Sequence, residues 1–281
     1  MQCRIHRNAT QGLGLIDPRA IIDPSAELGA NVEVGPWTWI GPEVQIGDDC
    51  WIAPHTVIKG PTQIGRNNKI YQFATVGEDT PALAYEGEPT ILQIGDNNVI
   101  REGVTIHRGM MQDHGKTVIG DGCLLMAYVH VGHDCVVGNE VIMANNASIS
   151  GHVVVGDHAN FGGYCGVPQF RRIGAHSHIS GMSLVLKDVP AYMTVMGNPA
   201  AAISLNVEGM RRRGYSQELI KILKDAHKVV YRQGRTIAEA CAELEPLAAQ
   251  HPEVALFVES IRDSRWGIVR PRSRGAANGD G

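Results

Sequence analysis

Residues 28–47 read LGANVEVGPWTWIGPEVQIG. Leu28, Val34, Ile40 and Ile46 fall six positions apart, and a glycine follows each, at 29, 35, 41 and 47. The rhythm extends backward through Ile22 to Ile16. It runs forward through Ile52, Ile58, Ile64, Ile70 and Val76, with glycine again at 65 and 77. Four places after each aliphatic anchor the residue is mostly small or β-branched: Ala20, Ala26, Val32, Thr38, Val44, Cys50, Thr56, Thr62, Asn68, Ala74. The anchors return at Ile94, Ile100 and Ile106. After a phase slip they run from Ile119 through Leu125, Val131, Val137, Met143, Ile149, Val155, Phe161, Val167, Ile173 and Ile179 to Val185. A period of six suits neither an α-helix nor a plain alternating strand, and is the mark of a parallel β-helix. One aliphatic and one small residue per hexapeptide point inward and fill a narrow prism. Three hexapeptides close one triangular coil, so positions eighteen apart stack in one column.

Composition agrees with so thin a core. Of 281 residues, 43% are hydrophobic but only 5% aromatic, and 33 are glycine. The length allows one or two domains. The net charge of −4 gives no global basic field for nucleic acid. Six scattered cysteines form no C-x-x-C pair, so neither a zinc ribbon nor a disulfide framework is expected. No apolar run is long enough to span a membrane, and the first twenty residues show no secretory leader. A cytoplasmic location with reduced thiols is the expectation.

Five segments depart from the hexapeptide rhythm. Residues 1–15 precede it. Residues 78–93 (EDTPALAYEGEPTILQ) and 108–118 (RGMMQDHGKTV) read as loops leaving a prism that spans 16–195. Beyond the prism, a helical domain is expected over 196–268. Ser216 caps one helix, Thr236 and Glu239 form a capping box on a second, and Pro252 opens a third. Residues 269–281 read as a disordered tail. The fold class is an all-β solenoid plus α.

Residues 129–138, VHVGHDCVVG, place His130, His133 and Asp134 in a valine-rich turn. His133 lies two after the Val131 anchor and should point out of the prism. Gly151 and Gln169 follow in its column, with coils about 4.8 Å apart. His152 is adjacent to Gly151, and His130 should be exposed near a corner. Imidazole can take a proton from a hydroxyl near neutral pH. Asp134 could orient it, the Gly151 N–H could stabilise an oxyanion, and Gln169 could hold a polar substrate group. Solvated surface histidines are the plainer alternative. Metal ligation is a weaker one, because no further carboxylate or thiolate completes a site.

The segments IYQFATVGE (70–78), GEPT (87–90), IREGVTIHRG (100–109), HVGHDCVVGN (130–139), ANNASISGHV (144–153), QFRRIGA (169–175) and NVEGMRRRGYS (206–216) together carry a likeness. The chain resembles the UDP-N-acetylglucosamine 3-O-acyltransferases of lipid A biosynthesis over Ile16 to Arg270. The likeness implies a left-handed parallel β-helix of hexapeptide repeats followed by a C-terminal α-helical domain. It implies a cytoplasmic homotrimer with active sites between subunits. Its donor would be an (R)-3-hydroxyacyl group on the phosphopantetheine of acyl carrier protein, with no metal or other cofactor. His133 then matches the general base, Asp134 its acidic partner, and Gly151 the oxyanion donor. His130, His152 and Gln169 match substrate contacts. Asn206, Glu208 and Arg212 match nucleotide- and donor-side contacts, and Gly181 the position that sets acyl length. Arg171, Arg172, Arg211, Arg212 and Arg213 could form one basic landing site for the acidic carrier.

The chain departs from that pattern at two places. Pro168 stands where the family has histidine, and Ala82 and Ala84 stand where it has aspartate and lysine. A 3-amino nucleotide sugar as acceptor, or a non-catalytic binding role, are the alternatives these leave. A zinc-dependent relative of the same solenoid ranks last.

Overall fold

The computed structural model describes residues 15–111 and 115–272. Residues 1–14 of the N-terminal extension, the centre of the second loop and the last nine residues of the expected tail lie outside them. Short parallel strands form three sheets of eight, eight and ten strands. Through the regular repeat, each strand pairs with the one three strands on. Ile40 sits opposite Ile58, and Ile58 opposite Val76; Val131 sits opposite Ile149, and Ile149 opposite Val167. This is the eighteen-residue column. The anchors from Leu28 to Val185 are buried, as are the small residues four places later from Ala26 to Ala74. Burying each aliphatic side chain contributes about 1.5–3 kcal/mol, and the coils offer little else for the core.

The corners follow from the same period. The third residue after an anchor turns the chain in the left-handed region, with φ between 51° and 64° for the non-glycine residues from Glu140 to Tyr192. Outside glycine this conformation costs about 1–2 kcal/mol per residue. Backbone hydrogen bonds to the neighbouring coil offset it, as where the His152 N–H donates to His133 O at 2.9 Å.

The chain leaves the ladder between Glu78 and Ile91 and between His107 and Lys116, narrower spans than the segments 78–93 and 108–118. Ile94 pairs with Ile64, thirty residues back, and Ile119 with Ile94, twenty-five back. Strands Ile91–Ile94 and Lys116–Ile119 take up the ends of the segments read as loop, because their alternating residues rejoin the ladder.

The prism also outlasts its repeat. Strand Met193–Met196 adds parallel to His178–Ile179, and Ala201–Leu205 turns back antiparallel on it. The helices therefore begin after 205. They are α1 (Val207–Arg212), α2 (Gln217–Arg232), α3 (Ile237–Ala248) and α4 (Pro252–Arg262). Ser216 caps α2, Thr236 and Glu239 make the capping box of α3, and Pro252 opens α4. The short α1 was not expected; Asn206 caps it by accepting from the Gly209 N–H. The tail does not begin at 269. Val269 is buried and donates to Asp188 O, Arg270 O accepts from Ala202 N, and Arg270 donates to Val230 O. Buried Asp188 fastens this return. Its carboxylate accepts from the N–H groups of Arg172, Arg265 and Trp266 and from the Ser264 hydroxyl.

Candidate active site

His133 and Asp134 sit on the corner that follows the Val131 strand. Along a strand, neighbouring side chains point to opposite faces. Here Asp134 has φ 56°, the chain is turning, and the two side chains meet. His133 Nδ1 lies 2.8 Å from Asp134 Oδ2. The slot faces out of the prism as expected, yet both residues are buried, His133 at 7% and Asp134 at 1% exposure. The cover is the second loop: the Met110 N–H donates to both Asp134 oxygens, at 2.9 and 3.1 Å. The Asp134 N–H donates to Thr117 Oγ1 at 2.8 Å. An Nδ1–H donated to this carboxylate would leave the Nε2 lone pair facing the Gly151 backbone.

Gly151 lies against that ring in the next coil. A Cβ on Gly151 would stand 2.5 Å from His133 Nε2 and Cε1. Only glycine lets the imidazole approach this backbone. The Gly151 N–H makes no backbone hydrogen bond among the described residues. His152 meets His133 edge-on at 4.8 Å and stacks on Phe170 at 4.4 Å. Gln169 is exposed one coil further, in the expected column.

His130 corrects its expectation. It lies on a strand, half-buried, rather than exposed at a corner. Thr105 Oγ1 sits 2.9 Å from its Nδ1, and His107 packs edge-on at 5.3 Å. Burial lowers its pKa, with smaller contributions from His107 and His133. A ridge of imidazoles thus runs from His107 through His130 toward His133. His107 Nδ1 in turn contacts Asp79 O at the root of the first loop, where buried Arg108 holds Gly77 O, Asp79 and Tyr85. Ala82 and Ala84 lie further out on that loop.

His133, Asp134 and His152 bring ligand atoms within 4.8 Å of one another, close enough to admit a cation. The carboxylate is already committed to Met110 and His133. That donor set suits an oriented base better than a metal site.

A second concave region lies elsewhere on the chain. A cavity of about 930 Å³ opens between α1, α2 and the third sheet. Asn206, Glu208, Arg211, Arg212, Arg213, Lys224, Lys228 and Arg232 line it; none of the His133 cluster does. Asn206 is largely structural here, its amide also donating to His176 O. Glu208 and Arg212 pair across one exposed helical turn at 3.0 Å. Of the five arginines, Arg211, Arg212 and Arg213 line this cavity and Arg171 and Arg172 do not. Arg171 packs over the Trp266 ring at 4.5 Å and bonds Leu186 O, and Arg172 faces Asp263 at 3.8 Å. Both answer the C-terminal return, while Arg211–Arg213 face the cavity. Gly181 is exposed, and a Cβ there would meet only Gly163 O, at 3.3 Å, and Gly163 N, at 3.8 Å.

The sequence reading assigned no role to His107, Met110 or Thr117. His107 stood in the TIHRG motif and was findable there. The Met110 and Thr117 contacts depend on a loop's return path and leave no local signal.

Comparison with known proteins places these features. Residues 43–78 and 116–151 match the bacterial transferase hexapeptide family, and 188–269 match domain 2 of the UDP N-acetylglucosamine O-acyltransferases. The chain is 60% identical over 259 residues to an acyl-[acyl-carrier-protein]–UDP-N-acetylglucosamine O-acyltransferase of Stutzerimonas stutzeri, covering 92% of this chain and all of that one. It is 62% identical, with the same coverage, to the enzyme of that name from Pseudomonas aeruginosa. The crystal structure of UDP-N-acetylglucosamine O-acyltransferase (LpxA) from Moraxella catarrhalis superposes with a TM-score of 0.88 at 47% identity, covering 91% of this chain and 99% of that one. LpxA from Acinetobacter baumannii gives 0.89 at 47%, covering 91% and 100%. The prism is thus a left-handed parallel β-helix, and the chain belongs to the acyl-[acyl-carrier-protein]–UDP-N-acetylglucosamine O-acyltransferase family.

Proposed function

We propose that this chain transfers an (R)-3-hydroxyacyl group from acyl carrier protein to the 3-hydroxyl of UDP-N-acetylglucosamine, the first step of lipid A biosynthesis. The observation that carries the reading is His133, with Nδ1 on Asp134 and Nε2 against the Gly151 backbone. Nε2 takes the proton of the sugar 3-hydroxyl, and the oxygen attacks the thioester carbonyl. The Gly151 N–H donates to the resulting oxyanion. Collapse expels the phosphopantetheine thiolate, which recovers the proton from His133. No covalent enzyme intermediate is required. Cys135 takes no part: it is buried in the core, and desolvation pushes its thiol up to about 12.

His130 on the same coil, His152 on the next and Gln169 one coil further are the proposed substrate contacts. The basic cavity supports docking of an acidic donor through Arg211, Arg212 and Arg213, with Lys224, Lys228 and Arg232 adding to the field. Because the His133 cluster and this cavity stand apart on one chain, the reading includes a homotrimer in which a second copy completes each site. Among the described residues no helix is long and apolar enough to cross a membrane, and the enzyme is read as cytoplasmic.

The test is an acyl-transfer assay on the purified protein. It offers UDP-N-acetylglucosamine and its 3-amino analogue with a panel of 3-hydroxyacyl carrier proteins, to the wild type and to His133→Ala. Transfer to the hydroxy sugar, lost in the variant, is expected. Transfer to the amino sugar alone would mean that Pro168, Ala82 and Ala84 mark a changed acceptor. Transfer to neither would overturn the reading.

A further inference from the structure

The corners of the solenoid obey a rule that fails beside the reactive histidine. At a corner, the left-handed residue's N–H donates to a backbone carbonyl of the preceding coil. His152 donates to His133 O at 2.9 Å, Phe170 to Gly151 O at 3.2 Å, Asn146 to Ala127 O at 3.1 Å and His158 to Asn139 O at 2.8 Å. By the register of Ile106 with Val131, the acceptor for Asp134 would be Arg108 O. At Arg108, however, the chain leaves the prism as the second loop, and it regains the ladder only at Lys116. The Asp134 N–H donates instead to a side chain, Thr117 Oγ1, at 2.8 Å. Among the described residues only Glu43, above the first coil, shares this arrangement, through Ser25 Oγ.

Thr117 is fully buried in the strand that receives the returning loop, opposite Leu92. The same loop delivers the Met110 N–H to the Asp134 carboxylate. Asp134 is therefore held at three points: its N–H by Thr117, its oxygens by Met110, and Oδ2 by His133 Nδ1. The backbone bond that fixes other corners has been exchanged for a side-chain acceptor at the residue that orients the base.

We propose that Thr117 is a positioning residue for acyl transfer. Its hydroxyl oxygen fixes the left-handed turn at Asp134, so that the carboxylate meets His133 Nδ1 and Nε2 stays aimed past Gly151. The proposal rests on the acyl-transfer reading for its kinetic arm only. Without that oxygen, the buried Asp134 N–H loses its acceptor, the turn relaxes and the carboxylate leaves the imidazole. Thr117 touches neither substrate nor reacting atoms, so its loss should act on turnover rather than on binding.

Thr117→Val keeps the shape and removes the acceptor; Thr117→Ser keeps the acceptor. Each is compared with wild type in steady-state transfer, and by 15N NMR of histidine-labelled protein at pH 8, with the His133 signals assigned from His133→Gln. The expected result for valine is a kcat about tenfold lower with KM within about twofold. The His133 nitrogens should shift from a single Nδ1–H tautomer toward a mixture. Serine should restore both readouts. Thr117→Ala carries the same test if the valine variant does not fold. Wild-type kcat with an unchanged tautomer in Thr117→Val would overturn the proposal, as would serine behaving like valine. If the wild type transferred no acyl group, the acyl-transfer reading would fail, and the NMR arm would still decide whether Thr117 sets the His133–Asp134 geometry.

Discussion

His133 and Gly151 come from successive coils, and the ring of one occupies the space a side chain would need on the other: a Cβ at Gly151 would stand 2.5 Å from His133 Nε2. Gly151→Ala should therefore displace the imidazole and crowd the backbone N–H proposed to receive the oxyanion. The fold should survive, because the clash is with a side chain. Transfer kcat/KM is expected to fall about 100-fold, measured beside a melting curve that stays close to wild type.

Asp134 Oδ2 lies 2.8 Å from His133 Nδ1, and in the proposed reaction it orients the ring and stabilises the imidazolium. Asp134→Asn preserves shape but offers the amide in either orientation, so the wrong tautomer becomes available. Here kcat is expected to drop about 100-fold or more, with KM little changed. An unchanged kcat would show that the pairing at 2.8 Å is structural only.

Gly181 is exposed, and a Cβ there would press on Gly163 O at 3.3 Å. If the acyl chain runs past it, Gly181→Met should shift the preferred donor toward shorter hydroxyacyl chains with little loss on the best of them. Competition among carrier-bound chains of stepped length would read this directly. The same preference in both proteins would remove Gly181 from the acyl path.

Stability should weaken in mild acid through His176. Burial, with lesser contributions from His158 and Arg213, lowers its pKa from 6.5 to about 4. The ring stacks on Tyr192 at 5.2 Å and on His158 at 4.7 Å, where α1 meets the prism. The folded state keeps it neutral while the unfolded chain takes up a proton. Its contribution is thus complete above about pH 6.5 and is lost as pH falls toward 4. Denaturant midpoints across that range should decline in wild type and decline less in His176→Phe, which keeps the stacking and cannot titrate. His227, also lowered to about 4, should supply part of the remaining slope.

Much of this molecule was legible because its core is periodic. An anchor every six residues fixes which side chains face inward, and a coil of eighteen fixes which residues are neighbours. The His133–Gly151–Gln169 column followed from addition alone. The same addition misjudged His130, because counting gives a column but does not say what neighbouring side chains will cover. It also grouped Arg171 and Arg172 with Arg211–Arg213, since adjacency in composition does not reveal that Trp266 and Asp263 return to claim the first pair. Strand Ala201–Leu205 and α1 escaped because both lie beyond the last regular repeat, where no period remains to count.

The sequence by itself determined the solenoid, its inward columns, the capped helices and the coil on which His133 stands, because each depends on local spacing or on a fixed repeat. Only the tertiary structure decided that Asp134 turns toward His133, that Met110 and Thr117 hold it there, and that the basic cavity lies apart from the histidines on the same chain. Those relations depend on where a loop rejoins the ladder and how the C-terminal segment folds back, and neither is set by any residue's immediate neighbours.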